Sequence, residues 1–162
     1  MSIRNKYEAE LAQVFNKLVT MCRETERAID RSVEALVRRN PELSRAVIDE
    51  DKNIDQLEHE IEQDCLKILL MEHPVASDFR DVSAALKMIT DLERIADQAA
   101  DISEIALQFG SEQYIKEPEH IAEMAKLATA MVKDSVESYI NRDVALARSS
   151  RVTTGWMNCS RR

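Results

Sequence analysis

The sequence predicts an all-α protein: an antiparallel three-helix bundle followed by part of a second, repeated bundle. Three observations carry this. The chain holds 2 Gly and 3 Pro among 162 residues, so it can turn in few places. Helix formers dominate, and β-branched and aromatic residues are sparse, a balance that favours long helices over sheets. Charged residues make up 32% of the chain and interleave with apolar ones, which gives each helix a wet face and a dry face.

The elements follow in order. A first helix is expected over 5–39, with Leu11, Val14, Leu18, Met21, Thr25, Ile29, Ser32 and Leu36 on one stripe. Asn40-Pro41 then supplies a capping side chain and a proline at a first helical position. The second helix, 42–72, repeats the beat with Leu43, Val47, Ile54, Leu57, Ile61, Cys65 and Ile68. His73-Pro74 breaks it, and Ser77 or Asp78 is the expected cap of a third helix over 77–109. Its stripe is Val82, Leu86, Ile89, Leu92, Ile95, Ala99 and Ile102. Gly110 through Pro118 forms the next break, before a fourth helix over 118–141. Asn141-Arg142-Asp143 is a weaker one, with a fifth helix starting near 143. Each stripe is one face wide, so three helices of about 45 Å with short connections must pack antiparallel to hide them.

The fourth helix resembles the first. Asp134 to Arg142 aligns with Arg31 to Arg39, sharing Ser, Val, Glu and the final Arg, and the register extends to Leu146 with Leu43 and Arg148 with Arg45. A second copy of the bundle offset by 103 residues accounts for this; so does the chance similarity of any two amphipathic helices. The expected division is a first bundle over 1–110, an incomplete second bundle over 111–148, and a tail over 149–162. The tail has no acid and no helical periodicity, and it holds the only Trp. A shifted reading frame and a genuine disordered tail both explain it.

Composition narrows the function. A net charge of −8 disfavours nucleic acid and anionic membranes as partners. No apolar run approaches the ~20 residues of a membrane span, and the charged N-terminus lacks the apolar core of a signal peptide. Cys22 and Cys65 sit at apolar positions, and three scattered cysteines form no disulfide framework, so a reducing, cytoplasmic setting is expected. Nucleophile elbow, phosphate-cradling glycine loop and Cys-x-x-Cys are absent from the sequence. Glu117-Pro118-Glu119-His120 alone has the Glu-x-x-His spacing of di-iron bundles, and it straddles a proline. No enzyme is expected.

The carboxylates offer other chemistry. Glu93, Asp97 and Asp101 recur every four residues on one helix face, as do Asp51 and Asp55 on the second helix. A hairpin pivoting near Pro74 sets Asp51 level with Asp97 and Asp55 level with Glu93. Such a cluster of hard oxygen donors suits a cation such as Mg, Mn or iron. The competing reading is a solvated acidic face whose side chains point apart.

Asp91-Leu92-Glu93-Arg94-Ile95-Ala96-Asp97 resembles the signature of the PhoU family, with Ala96 where members often carry Gly. Val47 to Asp55, Pro74 to Arg80 and Asn141 to Arg148 are similar, in the family's order, to its second helix, its turn into the third and its return into a second repeat. The resemblance implies tandem three-helix bundles, a homodimer, and metal clusters on the acidic motifs. Carried over, Glu93 and Asp97 come first as ligands, then Asp51 and Asp55, then Asp101. It further implies negative regulation of phosphate uptake and phosphate-starvation signalling, through contact with a phosphate-specific ABC transporter and a sensor histidine kinase. A metal-dependent helical enzyme or metal store, and a plain structural helical module, are the alternatives.

Overall fold

The computed structural model describes residues 3–71, 76–110 and 118–150. Among them are five helices and no strand: α1 (Ile3–Arg38), α2 (Pro41–Met71), α3 (Ala76–Phe109), α4 (Glu119–Ile140) and α5 (Val144–Ser150). None is long and apolar enough to cross a membrane.

Local chemistry sets the boundaries. Arg39 adopts a left-handed backbone with φ of 53° and closes α1; its N–H donates to the Leu36 carbonyl, and the Asn40 N–H donates to that of Ala35. Asn40 then turns around and caps α2, its Oδ1 accepting from the N–H groups of Glu42 and Leu43 at 3.1 Å each. The expected cap of α3 is corrected: the helix already runs from Ala76, so Ser77 and Asp78 lie inside its first turn, where Asp78 complements the helix dipole. The His73-Pro74 break lies outside the described residues.

The end of α4 repeats the first turn. Arg142 has φ of 54°, Arg142 N–H donates to Tyr139 O and Asp143 N–H to Ser138 O, and Asp143 Oδ1 accepts from Ala145 and Leu146 N–H at 2.9 and 3.0 Å. Every donor and acceptor in this turn sits 103 positions after its partner in the α1–α2 turn, so the repeat seen in the sequence is a repeat in hydrogen bonding. It extends to packing. Val33 shares a cavity wall with Ala122 and Ala125, while its counterpart Val136 shares one with Val19 and Cys22, the counterparts of those alanines. α1 and α4 therefore meet around a pseudo-twofold axis.

The core follows the stripes. Val14, Leu18, Met21, Ile61, Cys65, Ile68, Val82 and Ile89 are almost fully buried where α1, α2 and α3 meet. α2 runs antiparallel to both neighbours: Lys17 pairs with Glu60 and Asp64 at 3.2 and 2.9 Å, Arg31 with Glu50, and the Thr90 hydroxyl donates to Glu58 at 3.1 Å. Ala125, Val132 and Val136 of α4 join this core from the outer side of α1. The C-terminal end of α4 is fixed by the Tyr139 hydroxyl donating to the Asp81 carbonyl, by Arg142 on Asp81 Oδ2 at 2.6 Å, and by the Tyr139 ring edge-on to Phe15 at 5.5 Å. Cys22 and Cys65 are free and buried, as expected.

Candidate metal centre on the acidic face

The acidic face forms where α2 and α3 lie side by side. On α3 the small residues Ala85, Ala96, Ala99 and Ser103 are buried with almost no exposure. Asp97, one position beyond buried Ala96, is exposed. The hairpin register that joins Thr90 to Glu58 also brings Asp51 level with Asp97.

Asp51, Asp55 and Asp97 each place one carboxylate oxygen within 4.8 Å of the other two. Asp51 is half-buried, whereas Asp55 and Asp97 are exposed. Glu93 and Asp101 flank this trio one turn to either side on α3. Both act on it electrostatically: Asp101 on Asp51, and Glu93 in mutual repulsion with Asp97, Asp55 and Asp51. All five residues singled out from the sequence thus share one face, but Glu93, a leading candidate by resemblance, stands outside the trio that converges.

The group is under charge strain. Burial first, then the charges of Asp55 and Asp97, push the Asp51 carboxyl up to about 6 from an ordinary 3.8. Burial and the neighbouring carboxylates also raise Glu93. Among the described residues no lysine or arginine forms an ion pair with Asp51, Asp55, Glu93 or Asp97; Arg94 turns instead to Asp91 at 3.6 Å. Three convergent hard oxygens with no protein cation between them are a donor set that fits a Mg-, Mn- or iron-type ion.

Sequence reasoning missed Glu58. It lies one turn past Asp55, accepts the Thr90 hydroxyl and adds to the repulsion on Glu93. The same hairpin register that pairs Asp51 with Asp97 reaches it. His59 sits on the surface beside Glu62, 3.8 Å away, as its position in α2 predicts.

Comparison with known proteins agrees with the fold. The family model for the PhoU domain matches residues 18–106. The chain is 36% identical over 139 residues to the phosphate-specific transport system accessory protein PhoU homolog of Aquifex aeolicus, covering 86% of this chain and 63% of that protein. Among solved structures, PhoU from Pseudomonas aeruginosa superimposes with a TM-score of 0.84 at 28% identity, over 88% of this chain and 69% of that one. The phosphate transport system regulatory protein PhoU from Streptococcus pneumoniae has the same fold, with a TM-score of 0.83 at 24% identity over 94% and 72% of the two chains. The chain thus spans less than two thirds of the Aquifex relative's length. The matched domain takes in both helices of the acidic face and most of the α1 that backs them, and the chain belongs to the PhoU family.

Proposed function

We propose that this chain is a non-enzymatic accessory protein of phosphate transport. In this reading it works in the cytoplasm and damps phosphate uptake and phosphate-starvation signalling through protein contacts. It holds a divalent cation or iron at Asp51, Asp55 and Asp97, with Glu93, Asp101 and Glu58 around them. The relatives' names, as phosphate-specific transport accessory proteins, support the setting. The observation that carries the metal is the convergence of three carboxylates without a neutralising side chain. A bound cation would offset the repulsion that, after burial, raises Asp51, and would fix α2 against α3 at this level. The ion then shapes an acidic surface for partners: a phosphate-specific ABC transporter, a sensor histidine kinase and a second copy of the chain.

Two measurements test this. Elemental analysis after loading with Mn or iron is expected to find the ion in stoichiometric amount, and to lose it in an Asp51→Asn, Asp97→Asn double variant; unchanged metal content in that variant removes these ligands. Separately, the chain is expected to pull down phosphate-transporter or histidine-kinase components at low salt. Absence of both, alongside a full-length relative that binds them, overturns the regulatory reading.

A further inference from the structure

The face of the α2–α3 hairpin that carries the carboxylates continues past them into apolar surface. Leu66 and Leu70 of α2 are 40% and 77% exposed, and Phe79 of α3 is 54% exposed. The helix period ties them to the acidic side. Leu66 follows Asp55 by 11 residues, close to three whole turns, and Phe79 precedes Asp97 by 18, five whole turns. The register that joins Thr90 to Glu58 sets Phe79 level with the stretch between Leu66 and Leu70. The three residues therefore make one exposed apolar patch, about 27 Å from Asp97 along α3 at 1.5 Å per residue.

Glu58, Glu62 and Glu93 carry the negative surface from the aspartates toward this patch. Among the described residues no lysine or arginine forms an ion pair with these three glutamates. Glu62 has only His59 at 3.8 Å, and Glu58 accepts the Thr90 hydroxyl. One side of the hairpin thus presents bulky apolar groups at one end and unpaired carboxylates along the rest.

Resting on the reading of this face as a partner surface, we propose that the partner element it takes is a basic amphipathic helix. Its apolar side chains cover Leu66, Leu70 and Phe79, and its lysines or arginines meet Glu58, Glu62 and Glu93. A helix of about 18 residues spans the distance. Charge selects this occupant. Nucleic acid and anionic membranes are repelled by the carboxylates. A second copy of the chain, with its net charge of −8, offers the same acidic face, so it covers the patch without matching the glutamates. The helix does not need the ion: a cation at Asp51, Asp55 and Asp97 leaves the three glutamates free for it.

The probe is a fluorescein-labelled Leu/Lys peptide of about 18 residues, with leucines at helical i, i+3, i+4, i+7 spacing. It is titrated by anisotropy with the purified full chain in chelator. Saturable one-to-one binding is expected. A peptide of equal charge with serine for leucine is expected to bind about tenfold more weakly or worse. Leu70→Ser with Phe79→Ser is expected to weaken the Leu/Lys peptide to a similar degree, and Glu58→Gln with Glu62→Gln to weaken it and flatten its salt dependence. Ile105→Ser, an exposed apolar position at the opposite end of the hairpin, is expected to leave binding unchanged. Leu70→Ser alone serves if the double variant does not fold. Equal binding of the serine peptide overturns the proposal, because attraction to an acidic chain then suffices. Binding that survives both double variants overturns it by putting the peptide elsewhere. A dimer of the peptide-free chain that Leu70→Ser dissociates also overturns it, because a second copy then covers the patch. Purified chain and synthetic peptide make these outcomes independent of the metal content and of the transporter and kinase pull-down.

Discussion

Arg39 and Arg142 lie 103 positions apart and hold the same left-handed backbone conformation, with φ of 53° and 54°. Each is followed by a residue, Asn40 or Asp143, that ends one helix through its N–H and starts the next through its side chain. The two caps carry different weight, because α2 is a core helix and α5 is seven residues long. Asn40→Ala is expected to lower global stability by about 1 kcal/mol in urea denaturation. Asp143→Ala is expected to leave the global midpoint almost unmoved and to speed amide exchange in α5 alone. Equal effects of the two would contradict this hierarchy.

The acidic face gives a pH dependence. A carboxyl whose folded pKa is raised adds stability below its unfolded value and loses it as pH rises through the folded one. For Asp51 that window runs from 3.8 to about 6. In metal-free protein, Asp51→Asn is expected to match the parent near pH 4. Above pH 6 the variant is expected to be more stable by on the order of 2 kcal/mol, after allowance for solvent screening. Thermal melts across this range check it; a variant that is less stable at neutral pH without metal would show that burial and repulsion do not raise Asp51.

Asp81 anchors the end of α4 in two ways. Tyr139→Phe removes the hydroxyl bond to its carbonyl and keeps the ring against Phe15, at an expected cost of about 1 kcal/mol. Arg142→Ala removes an ion pair whose arginine is 72% exposed, with an expected cost of about 0.5 kcal/mol or less. Faster amide exchange in α4, with α2 unaffected, is the accompanying signature of the tyrosine variant.

Burial separates two apolar residues nine positions apart on α2. Ile61 is fully buried, and Ile61→Ala is expected to cost about 2–5 kcal/mol. Leu70 is 77% exposed, and Leu70→Ala is expected to change stability by less than about 0.5 kcal/mol. Urea unfolding of both variants gives the comparison.

Much of this architecture is legible in the sequence because its causes are local. The apolar beat that marks Leu18, Ile61 and Ile89 repeats with the helix period, so it names the buried face without a partner in view. Asn40 caps through atoms two and three residues away. The repeat is legible because Arg39 and Arg142 sit in the same local turn.

Spacing alone determined that Glu93, Asp97 and Asp101 share a face, and the hairpin set the height at which α3 meets Asp51 and Asp55. Only the tertiary structure decided how far each helix rolls about its own axis. That roll buries Ala96, Ala99 and Ser103. It turns Asp97 toward Asp51 and Asp55, leaves Glu93 and Asp101 at the flanks, and draws in Glu58. The placement of α4 on α1, and the hollow it leaves beside α3, likewise depend on contacts such as Tyr139 with Asp81. Those join residues 58 positions apart, where no local pattern in the sequence reaches.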